Sequence, residues 1–348
     1  MSDYLKPTIP YAEFYITNVC NLNCNNCNRL NNFYFSGHQS WKDYSDIYQT
    51  WGKKLDIQKI NILGGEPLLN PSVLEWMSGI RAIWPKAELL LTSNGTRLNF
   101  HNKLYQTLKD NDIQLILTTH NKVRHEEILQ NLKENFLVAP VAKKYQIEFS
   151  DWVIHEYNNV KDQSWPTCKN IHDFYQLPEC IQTECRDVHK IDPEKYLSKC
   201  EKIEFKDSNN VYVELIRAEN FYTAPLAYNG HGKFSVYNSN PTKAHDACIS
   251  KYCHHFIKGK FYKCHHVALL PEFMQQFFVD ISDEDKKLLE SYRPLTVNSS
   301  DDDIYEFLAN LRKEMPQCKL CPAELQSQYF QSDTNKIKIV KRRINHEI

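Results

Sequence analysis

The sequence predicts an α/β chain in which parallel strands curl partway into a barrel, followed by a small α+β unit. Apolar, β-branched runs alternate with helix-period stretches through the first 150 residues, the pattern of parallel strands joined by right-handed crossovers. The unusual residues (cysteines, a paired glycine, a Ser-Asn-Gly) fall just after those runs. In βα barrels the C-terminal strand ends converge on one active-site face, so these groups are expected to meet there. A second group of cysteines beyond residue 240 predicts the smaller unit.

Residues 11–17 read as the first strand, which runs into Cys20, Cys24 and Cys27. Tyr44, Ile47, Tyr48 and Trp51 at helical spacing mark a helix over 41–51. Residues 57–63 form an apolar run, hence a buried strand, ended by Gly64 and Gly65. Val73, Trp76, Met77, Ile80, Ile83 and Trp84 mark the second helix, with Pro71 near its first turn. Residues 88–92 are the third strand, Leu104 and Leu108 mark the third helix, and 112–119 are the fourth strand, ending on Thr118, Thr119 and His120. Val123, Ile128, Leu129, Leu132 and Phe136 are expected to line a fourth helix, with 145–149 as the next strand.

Residues 150–210 break the alternation. They hold Cys168, Cys180, Cys185 and Cys200 at irregular spacing, read as ordinary thiols of an insertion. Residues 211–218 look like a strand again, and Asn229-Gly230 and Asn240-Pro241 are turn signals. Ile304, Phe307, Leu308 and Leu311 share one helix face, with the acidic run 301–303 at the N-terminus where the dipole favours it. The expected boundaries are a core over 1–210, an auxiliary unit over 211–335 and a basic tail over 336–348.

A net charge of −1 gives no global field to recruit nucleic acid or a membrane surface. No apolar run reaches the roughly 18 residues of a membrane span, and the N-terminus lacks the apolar core of a signal peptide. A cytoplasmic protein is expected. In that reducing compartment twelve cysteines argue for metal or redox chemistry over disulfides. Only nine glycines occur, and their placement at Gly64, Gly65, Gly95 and Gly259 asks for close backbone approach or positive φ at those points.

Cys20, Cys24 and Cys27 stand in the order Cys-x3-Cys-x2-Cys. Three thiolates can hold three irons of a four-iron cube and leave the fourth without a protein ligand, whereas electron-transfer clusters and structural zinc sites take four ligands. An open iron can bind a small molecule directly. By spacing alone, zinc or no bond at all stays open. Gly64-Gly65-Glu66-Pro67 follows the second strand, where two glycines expose backbone to a ligand beside a carboxylate, and Thr92-Ser93-Asn94-Gly95 ends the third. Alone, each reads as a turn.

Together, in this order, the three loops resemble the radical SAM superfamily over roughly the first 150 residues. One departure is Asn26, where that family usually has an aromatic before the third cysteine. The resemblance implies a partial (β/α)6 TIM-like barrel. Cys20, Cys24 and Cys27 would hold a [4Fe-4S] cluster whose open iron chelates S-adenosylmethionine. Gly64, Gly65, Glu66, Pro67, Ser93, Asn94, Gly95 and Thr119 would contact that cofactor. The implied chemistry is reductive cleavage to a 5′-deoxyadenosyl radical, which takes hydrogen from an unactivated C–H bond.

Cys248, Gly259 and Cys264, then Cys318-x2-Cys321-Pro322, resemble the twitch domain, the short relative of the SPASM domain, which holds a second [4Fe-4S] cluster. Its hairpin is expected at 256–262, with the helix at 304–311 packing under the second site. Cys253 makes five cysteines for at most four places, so Cys248 or Cys253 is spare or one place stays open. His254, His255, His265 and His266 are read as surface or flanking side chains and not ligands. The substrate is expected to be a small sugar- or nucleotide-like molecule or a peptide side chain. With the first strand expected by about Tyr11, no appended peptide-binding domain of winged-helix type is expected, which tilts slightly against a leader-peptide-dependent peptide modifier. An external electron donor such as flavodoxin or ferredoxin is implied. The competing reading is a non-enzymatic zinc- or iron–sulfur-binding interaction module.

Overall fold

The structure, a computed structural model, describes residues 6–24, 27–33, 35–120, 122–147, 200–217, 220–221, 225–228, 233–324 and 328–329. Asn26, Cys168, Cys180, Cys185, the Asn229-Gly230 turn and the basic tail lie outside them.

The first half forms as the hydrophobic pattern demands: β1 (Thr8–Tyr15), α1 (Trp41–Lys54), β2 (Asp56–Leu63), α2 (Val73–Ile83), β3 (Glu88–Ser93), α3 (Leu104–Asp110), β4 (Ile113–Thr119) and α4 (Lys122–Asn131). The strands β1 to β4 pair in parallel, neighbour to neighbour. Ala12, Phe14, Ile60, Ile62, Leu89, Leu91, Leu115 and Leu117 occupy one face and meet Trp51, Trp76, Met77, Ile80, Leu104 and Leu108 from the helices. Burying each such side chain contributes about 1.5–3 kcal/mol, which is why the helices cover that face. Val123 departs from its expected place: it is exposed on α4, and His125 and Ile128 are the buried positions.

The next strand also departs from expectation. β5 (Val141–Ile147) does not extend the parallel series; it pairs antiparallel to β6 (Cys200–Lys206), which is antiparallel to β7 (Tyr212–Arg217). β7 takes the place beside β4, in parallel. The expected boundary near residue 210 therefore falls between two paired strands of one sheet.

Two-residue strands β8 (Asn220–Phe221), β9 (Ala227–Tyr228) and β10 (Phe234–Ser235) lead to α5 (Pro241–Asp246) and the hairpin of β11 (His255–Ile257) and β12 (Lys260–Tyr262). β11 adds in parallel to the open edge of β1, giving the sheet order β12-β11-β1-β2-β3-β4-β7-β6-β5, curled but not closed. The hairpin turn has φ of +50° at Lys258 and +73° at Gly259, as a type I′ turn needs. Trp51 Nε1 donates to the Gly259 carbonyl at 2.8 Å, and Phe256 stacks on Phe14 at 4.9 Å. The hairpin of the second half thus shares the core of the first.

Helix α6 (His265–Gln276) lies against Tyr15, Leu63 and Ile257, closing one side of the C-terminal strand ends. After α7 (Asp283–Ser291), α8 (Asp301–Ala309) opens with a capping box between Ser300 and Asp303. Ile304 is buried in the main core and Phe307 meets Phe261 at 5.7 Å. This helix packs on the hairpin and the sheet, where its apolar face meets Phe261. The two-residue β13 (Gln328–Tyr329) pairs with β8.

Candidate functional site

The loop after β1 carries the three cysteines, each partly exposed. It is held against the turn after β2 by backbone bonds: Gly65 N donates to the Thr17 carbonyl at 2.8 Å, and Glu66 N to Val19 at 2.8 Å. A side chain at Gly65 would place its Cβ 2.4 Å from the Val19 carbonyl oxygen, and one at Gly64 would meet Thr17 O at 2.6 Å. Close approach, not positive φ, is what these two glycines provide; positive φ belongs to Gly95 and Gly259. Leu22 N donates to Cys20 Sγ at 3.4 Å, and Cys27 Sγ to Asn31 Oδ1 at 3.8 Å. Asn31 is buried and ties the loop to the Tyr15 hydroxyl at 2.9 Å and the Asn18 carbonyl at 2.6 Å. Burial first, then the neighbouring Cys27 and Cys20 thiolates, push the Cys24 thiol up. A cationic core held by all three would reverse that repulsion, so the donor set fits an iron–sulfur cluster.

Glu66 is fully buried and faces inward. Its Oε1 accepts from Leu68 N at 3.0 Å and Ser93 Oγ at 2.7 Å, and its Oε2 from Asn94 N at 2.7 Å. Burial outweighs these three donors and raises its carboxyl from 4.5 to about 7. The carboxylate joins the turn after β2 to the turn after β3. Asn94 in turn reaches the cysteine loop, donating to Asn21 Oδ1 at 3.0 Å and approaching Cys20 Sγ at 4.0 Å. Pro67 is buried at the start of a 3-10 turn. Thr119 is also buried, with its hydroxyl against His125 Nδ1 at 2.9 Å and the Ile216 carbonyl at 3.3 Å. The structure therefore brings the cysteine, Gly-Gly-Glu and Ser-Asn-Gly loops together and leaves Ser93, Glu66 and Thr119 engaged with protein.

The face of the sheet away from the helices is polar. Strand register puts Tyr11 and Glu13 of β1 beside Lys59 and Asn61 of β2, and His255 of β11 beside Glu13. Thr92 donates to Asn61, Asn61 to the Tyr11 hydroxyl, and Tyr11 to Glu13 Oε1 at 2.9 Å. Arg29 Nη2 donates to Glu13 Oε2 at 2.7 Å, and His255 Nε2 lies 2.6 Å from the same oxygen. Burial would raise the Glu13 carboxyl, but the Arg29 guanidinium and His255 hold it well below the usual carboxylate range. Spacing did not point to this network; the only signals were a lone acidic residue inside an apolar strand and an arginine two residues past the third cysteine. On the far side, Lys202 bridges Glu204 at 2.8 Å and Glu214 at 3.1 Å.

In the second half Cys264 caps α6, Cys248 precedes the turn Ile249–Tyr252, and Cys318 and Cys321 sit on the turn Pro316–Leu320 and just after it. These four thiols are close enough to disfavour one another's ionisation. Burial, then Cys248 and Cys318, push Cys264 up to about 12, and burial with Cys248, Cys264 and Cys318 raises Cys321 well above its ordinary value. Cys253 is near enough to Arg29 to favour its charge. Among the described residues, no three His, Cys, Asp or Glu side chains gather tightly enough for a single metal ion. The four histidines are not on the surface: His254, His255, His265 and His266 are all buried. Burial drives His254 and His266 down to about 4.

Residues 14–140 match the radical SAM superfamily. A GTP 3′,8-cyclase of Alkaliphilus metalliredigens is 30% identical over 126 residues, 36% of this chain and 38% of that protein. A probable GTP 3′,8-cyclase of Methanocaldococcus jannaschii is 31% identical over 195 residues, 52% of this chain and 62% of that protein. The chain thus spans less than two thirds of either relative. Among solved structures, Streptococcus suis SuiB bound to precursor peptide SuiA is similar over 91% of this chain and 70% of that one, at 11% identity and a TM-score of 0.34. BtrN in complex with AdoMet and 2-DOIA covers 34% of this chain and 48% of that one, at 21% identity and a TM-score of 0.27. No helix among the described residues is long and apolar enough to cross a membrane.

Proposed function

We propose that this chain, which carries a radical SAM domain over residues 14–140, is an enzyme that cleaves S-adenosylmethionine reductively and removes hydrogen from an unactivated C–H bond of a polar substrate. One observation carries the reading: Cys20, Cys24 and Cys27 lie on a loop fixed against both the Gly64-Gly65-Glu66 turn and the Ser93-Asn94-Gly95 turn, at the C-terminal ends of three adjacent parallel strands. When bound there, a [4Fe-4S] cluster and S-adenosylmethionine supply the electron and the hydrogen-abstracting radical. The chain's own part is positional. The three thiolates hold the cluster, the glycine pair admits the cysteine loop, and Glu66 fixes the two turns at their mutual spacing. Asn94 presents its amide beside Cys20. The polar face of the sheet, beside which Arg29 Nε and the Nδ1 atoms of His255 and His265 lack hydrogen-bond partners, favours a substrate with hydrogen-bonding groups, such as a sugar- or nucleotide-like molecule, over an apolar one.

Cys248, Cys264, Cys318 and Cys321 are proposed to hold an auxiliary [4Fe-4S] cluster, with Cys253 outside that set. The electron is proposed to arrive from an external carrier of the flavodoxin or ferredoxin kind. The test is anaerobic reconstitution with iron and sulfide, reduction by dithionite, and measurement of 5′-deoxyadenosine. Brown protein that forms it, with Cys20→Ala, Cys24→Ala and Cys27→Ala all inactive, is the expected result. Full activity in any one of these variants removes the assignment. Colourless protein holding only zinc would return the chain to the interaction-module reading.

A further inference from the structure

We propose that Arg29, with His255 and His265, forms a subsite that anchors an oxyanion of the substrate, a carboxylate or a phosphate. The proposal rests on the reading above and names the chemistry that the polar face would recognise. The argument is a count of donors and acceptors. Glu13 supplies the carboxylate in this cluster, and its oxygens are taken: Oε1 by the Tyr11 hydroxyl and Oε2 by Arg29 Nη2, with His255 Nε2 2.6 Å away. What remains without a hydrogen-bond partner is nitrogen: Arg29 Nε, His265 Nδ1 and both ring nitrogens of His255, whose Nε2 stands within ion-pair distance of Glu13 without hydrogen-bond geometry. His255 is wholly buried and His265 is 6% exposed, with the two rings 5.4 Å apart. Buried polar atoms are almost always paired, and leaving one unpaired is costly. Arg29 Nε can only donate, and each imidazole donates from Nδ1 in its Nδ1–H tautomer, so the group that completes the cluster brings acceptors.

Charge points the same way. Arg29 and Glu13 cancel, and the two imidazoles add no negative charge. An anion entering here meets no unneutralised carboxylate. Elsewhere on the same face the polar groups are satisfied by one another: Tyr11, Asn61 and Thr92 in one chain, Lys202 between Glu204 and Glu214. The Arg29 side chain keeps 22% of its surface exposed, so the guanidinium borders solvent while the unpaired nitrogens lie beneath it. Its position, two residues past Cys27, puts an anchored substrate beside the first cysteine loop.

The full chain, reconstituted anaerobically, is titrated calorimetrically with inorganic phosphate in one arm and acetate in the other. S-adenosylmethionine affinity and iron–sulfur absorbance are read on the same samples. One anion should bind once per chain, and the arm that binds tells a phosphate-bearing substrate from a carboxylate-bearing one. Arg29→Gln should weaken that binding at least tenfold. Because this change strips a partner from buried Glu13 and can impair folding, Arg29→Lys and His265→Phe are measured too. The first keeps the charge without the Nε donor, the second leaves the Arg29–Glu13 pair intact, and each should weaken binding severalfold. Wild-type protein that binds neither anion, or variants that keep their absorbance and bind the anion as wild type does, overturn the subsite. Failure of the radical SAM reading shows separately, as wild-type protein without iron–sulfur absorbance or S-adenosylmethionine binding; the anion titration is decided on its own result.

Discussion

Replacing Glu66 by glutamine separates two roles of one buried carboxylate. Three donors converge on it, which favours the ionised form, but complete burial prevails and its carboxyl sits at about 7 instead of 4.5. The folded protein therefore holds this proton more tightly than the unfolded chain. The contribution to stability is greatest below 4.5 and is lost as pH rises through 7, by about 3 kcal/mol in full. Glutamine is close in shape to the protonated acid, so at about pH 5 variant and wild type should agree within about 1 kcal/mol. By about pH 8 the wild type has lost what the variant retains, and Glu66→Gln should be the more stable by about 3 kcal/mol. Cofactor binding should move the other way. The amide NH2 cannot accept, so Asn94 N or the Leu68 and Ser93 donors lose their partner and the two turns loosen; a loss of roughly tenfold in S-adenosylmethionine affinity follows from one such bond. The assay is urea unfolding under nitrogen across that pH range, with cofactor binding by calorimetry. Parallel stability curves would refute the burial argument, and unchanged affinity would show that Glu66 does not position the turns.

Gly65→Val should drive the cysteine loop outward, since its Cβ would meet the Val19 carbonyl oxygen at 2.4 Å; we expect about 1–3 kcal/mol of lost stability and reduced iron at the first site. Full iron content with only weaker cofactor binding would mean that the loop yields to the side chain. Cys318→Ala combined with Cys321→Ala should roughly halve the iron of the wild type and keep uncoupled cleavage of S-adenosylmethionine while losing product, with circular dichroism confirming the fold. Product at the wild-type rate would leave the second site structural or absent. Trp51→Phe removes the indole bond to Gly259 and should cost about 1–3 kcal/mol in chemical unfolding, because it loosens the hairpin from α1. A change below measurement error would show that the Phe256 contacts alone fix the hairpin.

The sequence by itself determined the alternating core and the ends of its strands, because hydrophobic period and turn chemistry are local. Strands β1 to β4, helices α1 to α3 and the hairpin at 255–262 all fall within a few residues of where their side-chain pattern put them. The three loops that build the first site were legible for the same reason: each follows a strand directly, and parallel strands deliver their ends to one face. Tertiary structure alone decided the rest. That β11 pairs with β1, and β7 with β4, depends on which free edges the folded sheet leaves open, a long-range property with no local signature. The glycine pair reads as ligand space in sequence; packing adds a second demand, since the Val19 backbone stands where a side chain at Gly65 would be. Glu66 looked like a ligand-facing carboxylate, but burial turns it onto Asn94 and Ser93. Five cysteines competed for the second site; folding brings Cys248, Cys264, Cys318 and Cys321 near one another and Cys253 near Arg29. Glu13, Arg29 and His255 are far apart along the chain, and only the parallel register of β11 on β1 makes them one buried cluster.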